Sequence, residues 1–528
     1  MEIKSNRRRF LKTSGATIGG LALGGVSNAA FSMITRDSSR PQMSQGIQIG
    51  DVTAKRGLIW SRADRPSRLR VEYSYHEDFY QSWTVRGPYA LPKNDYTARL
   101  DLSGLRPDHD VFVRVGFEDL SNEKVVSELV SGHFRTAPKH NTRDIHFVWG
   151  GDTAGQGWGI NPDIGGMRIY TSMLNENPDF FIHSGDTIYA DGPISETVDA
   201  ENGAVWRNIV TEEVSKVAET LDEFRGRYKY NMLDDNVRAF NANVPQIWQW
   251  DDHEVVNNWS ASKDLSGDDR YTEKNVPLLI ARGATAFLEY SPMRPFSTVE
   301  QDRVYRHLPY GDLLDLIVLD MRSYRGPNSA NDQTEEGPET QFLGGEQLHW
   351  LKRRLVKSRA VWKVIAADMP IGLIVRDGEK FENLANGDGE PLGRELELVE
   401  LLSFIKKENI ENVVWLTADV HYCAAHFYNP EKAVFKDFNP FWEFVAGPLN
   451  AGSFGPGTLD NTFGPEVVFH KYPERQNLSP LSGLQFFGDV KIDQYSAQMT
   501  VSLKDIDGRT VFSKCLEPSF AFSGSKKG

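Results

Sequence analysis

Six apolar runs in this chain end in an aspartate, and that recurrence limits the folds open to it. "DIHFVWGGD", "PDFFIHSGD", "PQIWQWDD", "LLDLIVLD", "VWKVIAAD" and "NVVWLTAD" close on Asp152, Asp186, Asp251 or Asp252, Asp320, Asp368 and Asp419. Segments with helical periodicity lie between them, among them "GGMRIYTSMLNEN", "GEQLHWLKRRLVKS" and "RELELVELLSFIKKEN". Strands of buried type alternating with helices predict an α/β (α+β) core of packed mixed β-sheets flanked by helices. In such sheets ligands bind beyond the carboxyl ends of the strands, so the aspartates would meet at one edge. One strand-terminal aspartate is an ordinary turn or cap residue. Six of them, two with a histidine one or two residues away, point to shared chemistry. Carboxylates crowded together repel unless a cation neutralises them. The pattern therefore predicts a centre of divalent or trivalent metal ions.

The rest of the chain divides by composition. "NRRRFLK" (Asn6–Lys12) precedes the small, apolar stretch "TSGATIGGLALGGV" and then "SNAAFS". These are the charged, apolar and small-residue zones of an export signal, of the twin-arginine type. Residues 1–30 are expected to be that signal, 31–45 a flexible segment, and the location periplasmic or secreted, with the twin-arginine export machinery as a partner. No other segment is long and apolar enough to span a bilayer, so no stable membrane anchor is expected. "GLIWSRA", "RLRVEYSY" and "DVFVRVGFEDL" are short alternating runs that predict a β-sandwich over 46–138. The polar linker "RTAPKHNTRD" then leads into the core, 140–528. A length of 528 residues suits more than one domain. A net charge of −14 without any long Lys/Arg block argues against a nucleic-acid-binding surface. The two cysteines, Cys423 and Cys515, are too far apart to imply a disulfide framework or a CxxC site.

Three motifs carry the chemistry. In "HSGDTIYADG", Tyr189 follows Asp186 by three residues, within reach of a shared ion if the chain turns. A phenolate ligand points to a hard, acidic ion such as Fe(III); a Tyr packed at a turn is the plainer reading. In "TADVHY", Asp419 and His421 are two apart and face the same way along an extended tail. In "WQWDDHEVVNNW", charged residues and amides follow an aromatic run, an arrangement that burial makes costly unless the charges are paired. No G-x-S-x-G elbow is present, so a serine nucleophile is not implied.

The order "GGDTAG", "GDTIY", "WDDHE", "ADVHY", with "LDMRSYR" before the last, resembles the PhoD-type alkaline phosphatases of the calcineurin-like and purple-acid-phosphatase-like metallophosphoesterases. The resemblance covers nearly the whole chain and implies an immunoglobulin-like domain at 46–138 and a metallophosphatase domain at 140–528. It implies that Asp186 bridges two metals and that Tyr189 and His421 bind Fe(III). Asp419 and a residue of the Asp252–Asn257 stretch, with Asp252 or Asn257 favoured, would hold the second metal, Ca2+ in PhoD-type enzymes. Those enzymes carry a cysteine after the first strand; this chain carries Asp152, as purple acid phosphatases do. That exchange leaves Zn2+, Mn2+ or Fe2+ as alternatives for the second ion. His253 matches the family's non-ligand histidine and would serve the leaving group or the transition state. Arg322 and Arg325 would either fork phosphate oxygens or pair with the carboxylates.

The implied function is an exported, metal-dependent phosphoesterase that hydrolyses small phosphomonoesters or phosphodiesters by attack of a metal-bound hydroxide. A phospholipase D-like phosphodiesterase on the same site is a second reading. A non-catalytic, calcium-stabilised exported binding protein is a third; Tyr189 and His421 argue against it, since structural calcium sites rarely use phenol or imidazole.

Overall fold

The computed structural model describes residues 40–387 and 389–519. The signal segment expected at 1–30, and most of the segment at 31–45, lie outside the described residues.

Two large sheets face each other. The first has nine strands in the order Thr510–Leu516, Met499–Asp505, Phe486–Ile492, Ile145–Gly150, Phe180–Ser184, Gln246–Gln249, Ile47–Gly50, Arg56–Arg62, Thr97–Ser103. The second has seven: Arg306–Tyr310, Leu314–Val318, Trp362–Ala366, Val413–Thr417, Phe441–Val445, Cys423–Tyr428, Pro465–Lys471. The middle of each sheet is parallel. Its strands are apolar on both faces, as parallel strands covered on both sides must be. Phe147, Phe180 and Ile182 of the first sheet pack against Leu316, Val364 and Leu416 of the second in one core. At about 1.5–3 kcal/mol for each large side chain buried, this interior is what holds the sheets face to face.

Helices cover the outer faces. Gly345–Lys357 and Glu395–Lys407 lay Leu348, Leu351, Leu401 and Ile405 on the second sheet. On the first sheet, Arg168–Asn175 and Asp235–Asn243 contribute Ile169, Met173, Val237 and Phe240. The result is the mixed α/β layering that the alternation of runs predicts. Trp248 and Trp250 of "WQWDDHE" belong to a further core cluster with Phe224, Leu279 and Phe287. Among the described residues no helix is long and apolar enough to cross a membrane.

The β-rich N-terminal region forms a sandwich. A four-stranded sheet, Trp83–Ala90, Ser67–Ser74, Asp110–Asp119 and Val130–Arg135, packs on Ile47–Gly50, Arg56–Arg62 and Thr97–Ser103. The latter three strands are also the end of the nine-stranded sheet. Ile47–Gly50 joins Gln246–Gln249 in parallel, and Asp51 N–H continues the ladder to Gln246 O at 3.2 Å. The sandwich therefore shares a hydrogen-bonded sheet with the core.

Candidate metal centre

Each of the six aspartates sits two residues past the last residue of its strand. Gly150 leads to Asp152, Ser184 to Asp186, Gln249 to Asp251, Val318 to Asp320, Ala366 to Asp368 and Thr417 to Asp419. These strands run parallel within their sheets, so their ends share an edge. The chain leaves several of them through left-handed backbone: φ is 72° at Asp152, 51° at Asp186, 64° at Asp419 and 61° at His421. Such conformations cost of order 1–3 kcal/mol each outside glycine and persist only where the surroundings enforce them. Glu254 is one enforcer. Its carboxylate accepts Thr187 N–H at 2.6 Å, Asp251 N–H at 2.8 Å, Asp186 N–H at 3.3 Å and the Thr187 hydroxyl at 2.6 Å. Gly185, at φ 90°, lets the turn pass Asp251, whose Cβ would lie 2.5 Å from any added Cβ.

One half of the centre joins Asp152, Tyr189 and His421. Tyr189 Oη lies 3.2 Å from Asp152 Oδ1 and 2.9 Å from His421 Nε2, and His421 Nε2 lies 3.3 Å from Asp152 Oδ1. His421 Nδ1 faces the Gly452 carbonyl at 2.6 Å, so it carries the proton and donates. That leaves the Nε2 lone pair aimed at Asp152 and Tyr189, the tautomer a metal ligand needs. Burial depresses the His421 imidazole to a pKa of about 4, which keeps it neutral.

The other half is acidic. Asp186, Asp251, Asp252 and Asp419 each place an oxygen within 4.8 Å of the others, and Asp186 does the same with Asp152 and His421. Asp186 thus belongs to both halves, as a bridging carboxylate must. Burial, and then the charge of Asp251, pushes the Asp152 carboxyl up to about 8. Burial likewise raises Asp186, with Asp252 adding to it, and raises Asp419, with Asp251 adding to it.

Five carboxylate oxygens here are buried with no hydrogen-bond partner: Asp152 Oδ2, Asp186 Oδ2, Asp251 Oδ2, Asp252 Oδ1 and Asp368 Oδ2. A buried polar atom left unpaired costs about 1–3 kcal/mol, and more if charged. Unpaired oxygens converging with an imidazole lone pair and a phenol are the donor set that hard cations take up. The residues present fit a pair of metal ions.

His253 stands beside this set. Its ring stacks on Tyr189 at 4.2 Å between centroids, and its N–H donates to Asp186 Oδ1 at 3.1 Å. Nδ1 is 2.6 Å from Asp191 Oδ1, while Nε2 is 3.9 Å from Asp252 Oδ1. Burial works against its charge, but Asp191 and Asp252 outweigh it and raise the pKa to about 9. The ring is held from one side as an imidazolium, with the other nitrogen toward the centre.

Some expected residues are placed differently. Asn257 is exposed and is anchored by its backbone, whose N–H donates to Asp191 Oδ2 at 2.8 Å. Asp251 and Asp252, which precede it in the motif, supply the carboxylates of the acidic group. Arg322 and Arg325 are placed as ion-pair partners, a correction to the phosphate-fork role. Arg322 Nε pairs with Asp251 Oδ1 at 2.5 Å, its NH1 with Glu382, and its NH2 lies 3.8 Å from Asp252 Oδ2. Arg325 NH1 pairs with Glu382 Oε1 at 2.8 Å. The Arg322 side chain is 0% exposed and that of Arg325 1%, so neither reaches solvent. Asp320 caps its own turn through Arg322 N–H and Ser323 N–H and takes the Trp250 indole N–H.

Sequence reasoning passed over Asp191, Glu254 and Glu382. Asp191 and Glu254 stand inside the motifs "TIYAD" and "WDDHE"; Glu254 directly follows His253, whereas Asp191 meets that histidine only in the fold. Glu382 lies outside all the motifs.

Comparison with known proteins identifies the family and the fold. The family model described as "PhoD-like phosphatase" matches residues 147–503, and that described as "PhoD-like phosphatase, N-terminal domain" matches 27–138. Alkaline phosphatase D of Bacillus subtilis (strain 168) is 27% identical over 519 residues, covering 92% of this chain and 81% of the relative. The solved structure of PhoD superposes with a TM-score of 0.67 at 20% identity, over 92% of this chain and 94% of that one. The purple acid phosphatase PPD1 from yellow lupin (Lupinus luteus) seeds gives 0.56 at 13% identity, over 91% and 75%.

Proposed function

Because this chain belongs to the PhoD-like phosphatase family, and is on that ground a phosphoric-ester hydrolase, we propose that it is an exported, metal-dependent phosphatase acting on phosphomonoesters or phosphodiesters. The observation that carries metal dependence is the set of five buried, unpartnered carboxylate oxygens at four strand ends. Asp152, Tyr189 and His421 would hold one ion, Asp252 and Asp419 the other, and Asp186 both. Carboxylate, phenol and imidazole around Tyr189 favour Fe(III); the all-oxygen set around Asp252 and Asp419 favours Ca2+, with Zn2+, Mn2+ or Fe2+ as alternatives. When bound, such a pair supplies Lewis acidity and charge neutralisation at the phosphoryl group.

The protein's own groups do the rest. Asp191 fixes the orientation of His253 through Nδ1. His253 Nε2 then holds a proton at the side of the centre, available to the departing alkoxide as a general acid. The indole and phenyl packing beneath Trp248 and Trp250 keeps the strand from shifting, so the carboxylates meet the ester in a preset geometry. The arginine pair of the N-terminal segment and the apolar stretch behind it support export by the twin-arginine route.

Elemental analysis of the exported protein, with a visible spectrum, tests the reading. Two metal equivalents, a phenolate-to-iron band that disappears in Tyr189→Phe, and hydrolysis of p-nitrophenyl phosphate are expected. A metal-free protein that still hydrolyses the ester would overturn it.

A further inference from the structure

The arginines nearest the centre are consumed by carboxylates, yet the substrate is an anion approaching a carboxylate-rich centre on a chain of net charge −14. The metal pair would neutralise those carboxylates and the phosphoryl oxygens it holds; an anionic ester oxygen that stays off the metals still calls for a cation from the protein. The hairpin Arg376–Asp377 and Lys380–Phe381 carries a candidate.

This hairpin is tied to the centre at two points and to a neighbouring loop at a third. Glu382, next after its second strand, holds Arg322 and Arg325, and Arg322 in turn holds Asp251. The Arg376 carbonyl accepts Asn258 Nδ2 at 3.3 Å, and Asn258 N–H donates to Asp252 Oδ2 at 2.5 Å. Asp377 Oδ2 accepts Asn328 Nδ2 at 2.9 Å. One residue, Asn258, therefore separates the Arg376 backbone from a carboxylate of the acidic group.

Arg376 is exposed, and its guanidinium lies over the Phe381 ring at 4.5 Å from the centroid. Among the described residues no carboxylate or carbonyl takes a hydrogen bond from it. A guanidinium gripped by its face with its N–H edge uncommitted is preorganised to fork an oxyanion. The neighbouring cation Lys263 faces Asp377 at 4.0 Å instead.

We propose that Arg376 is a substrate-binding residue that engages an anionic oxygen of the phosphoester at the rim, the part that Arg322 and Arg325 were expected to play. This inference rests on the reading of the centre as a phosphoesterase site. It makes Arg376 a determinant of KM and of affinity for inorganic phosphate, with chemistry left to the buried centre.

The test compares the metal-loaded wild type with Arg376→Gln, Arg376→Lys and Phe381→Leu on p-nitrophenyl phosphate and bis(p-nitrophenyl) phosphate, with inorganic phosphate as inhibitor. Arg376→Gln should raise KM and the phosphate inhibition constant together by about tenfold or more, from the loss of charge-assisted hydrogen bonds. kcat should stay within about threefold, and metal content should not change. Arg376→Lys should fall between, and Phe381→Leu should raise KM by a smaller factor. An unchanged KM and inhibition constant in a fully active Arg376→Gln enzyme would overturn the proposal. So would a joint fall in kcat and metal content, which would make the residue a prop for the hairpin. A wild type inactive on every ester would instead sink the proposed function itself.

Discussion

Two groups of acidic and imidazole side chains in this protein look alike in composition and differ in what surrounds them. Both the strand-end centre and the trio His146, Glu176 and Asp489 place oxygen and nitrogen donors within 4.8 Å of one another. In the trio the charge is already balanced. Lys504 Nζ lies 2.7 Å from Glu176 and 3.9 Å from Asp489, Lys491 Nζ lies 3.8 Å from Asp489, and His146 Nε2 is 2.5 Å from Asp489 Oδ2. None of its carboxylate oxygens is both buried and unpartnered, whereas five at the centre are. Asp489 is accordingly held below the ordinary carboxylate range: burial raises it, but His146 and the lysines outweigh that. Asp186 and Asp419 are driven above that range. In the trio the counter-charge matches the acids; at the centre Arg322 and His253 answer only part of the charge, and buried carboxylate oxygens are left without partners.

The largest expected effect breaks the centre at the residue shared by its halves. Asp186→Ala should lose both metal equivalents and at least about a thousandfold in kcat/KM, on the scale of the several kcal/mol that Lewis-acid stabilisation supplies. Metal analysis beside kinetics checks this, and chelation of the wild type should match it. Retained turnover in the variant would show that the bridging role is misassigned. Next in size, His253→Ala should lower kcat by about a hundredfold or more with metal content intact, as loss of general-acid help predicts. Asp191→Asn should reproduce part of that loss. An Asp191→Asn enzyme of wild-type rate would show that the pairing at Nδ1 is idle.

Smaller effects come from the balanced trio. Lys504→Gln should remove its main counter-charge and lower stability by about 1–2 kcal/mol, a partly exposed ion-pair value. Added Ca2+ should then raise the melting temperature of that variant more than that of the wild type, each with its metal centre filled. An equal response would mean that the lysines are not what keeps ions away. The smallest effect is in acid. With its folded pKa depressed, Asp489 contributes stability that is complete above its ordinary value of 3.8 and is lost as pH falls through the lower folded value. His146→Gln removes the main cause of that depression, so acid unfolding of the variant should begin at a higher pH, monitored by circular dichroism.

The strand pattern and its terminal aspartates could be read directly, because local chemistry writes them: apolar runs of strand length must be buried, and a charge can stand only where such a run ends. The same logic exposed Tyr189, Asp419 and His421 at fixed offsets from a strand end. The partners of those charges could not be read. Whether Arg322 reaches substrate or Asp251 depends on Glu382, sixty residues further on, whose carboxylate takes the guanidinium from its other side. Asn257 and Asp252 are equal candidates along the motif; the turn after Asp252 leaves Asn257 exposed and its N–H on Asp191. Asp320 and Asp368 end their strands identically, yet one caps a turn and the other faces Asp251. The sequence by itself determined where carboxylates could gather, since strand ends are set by short-range burial. Only the tertiary structure decided which of them keep oxygens without partners, since counter-charges arrive from segments far away along the chain.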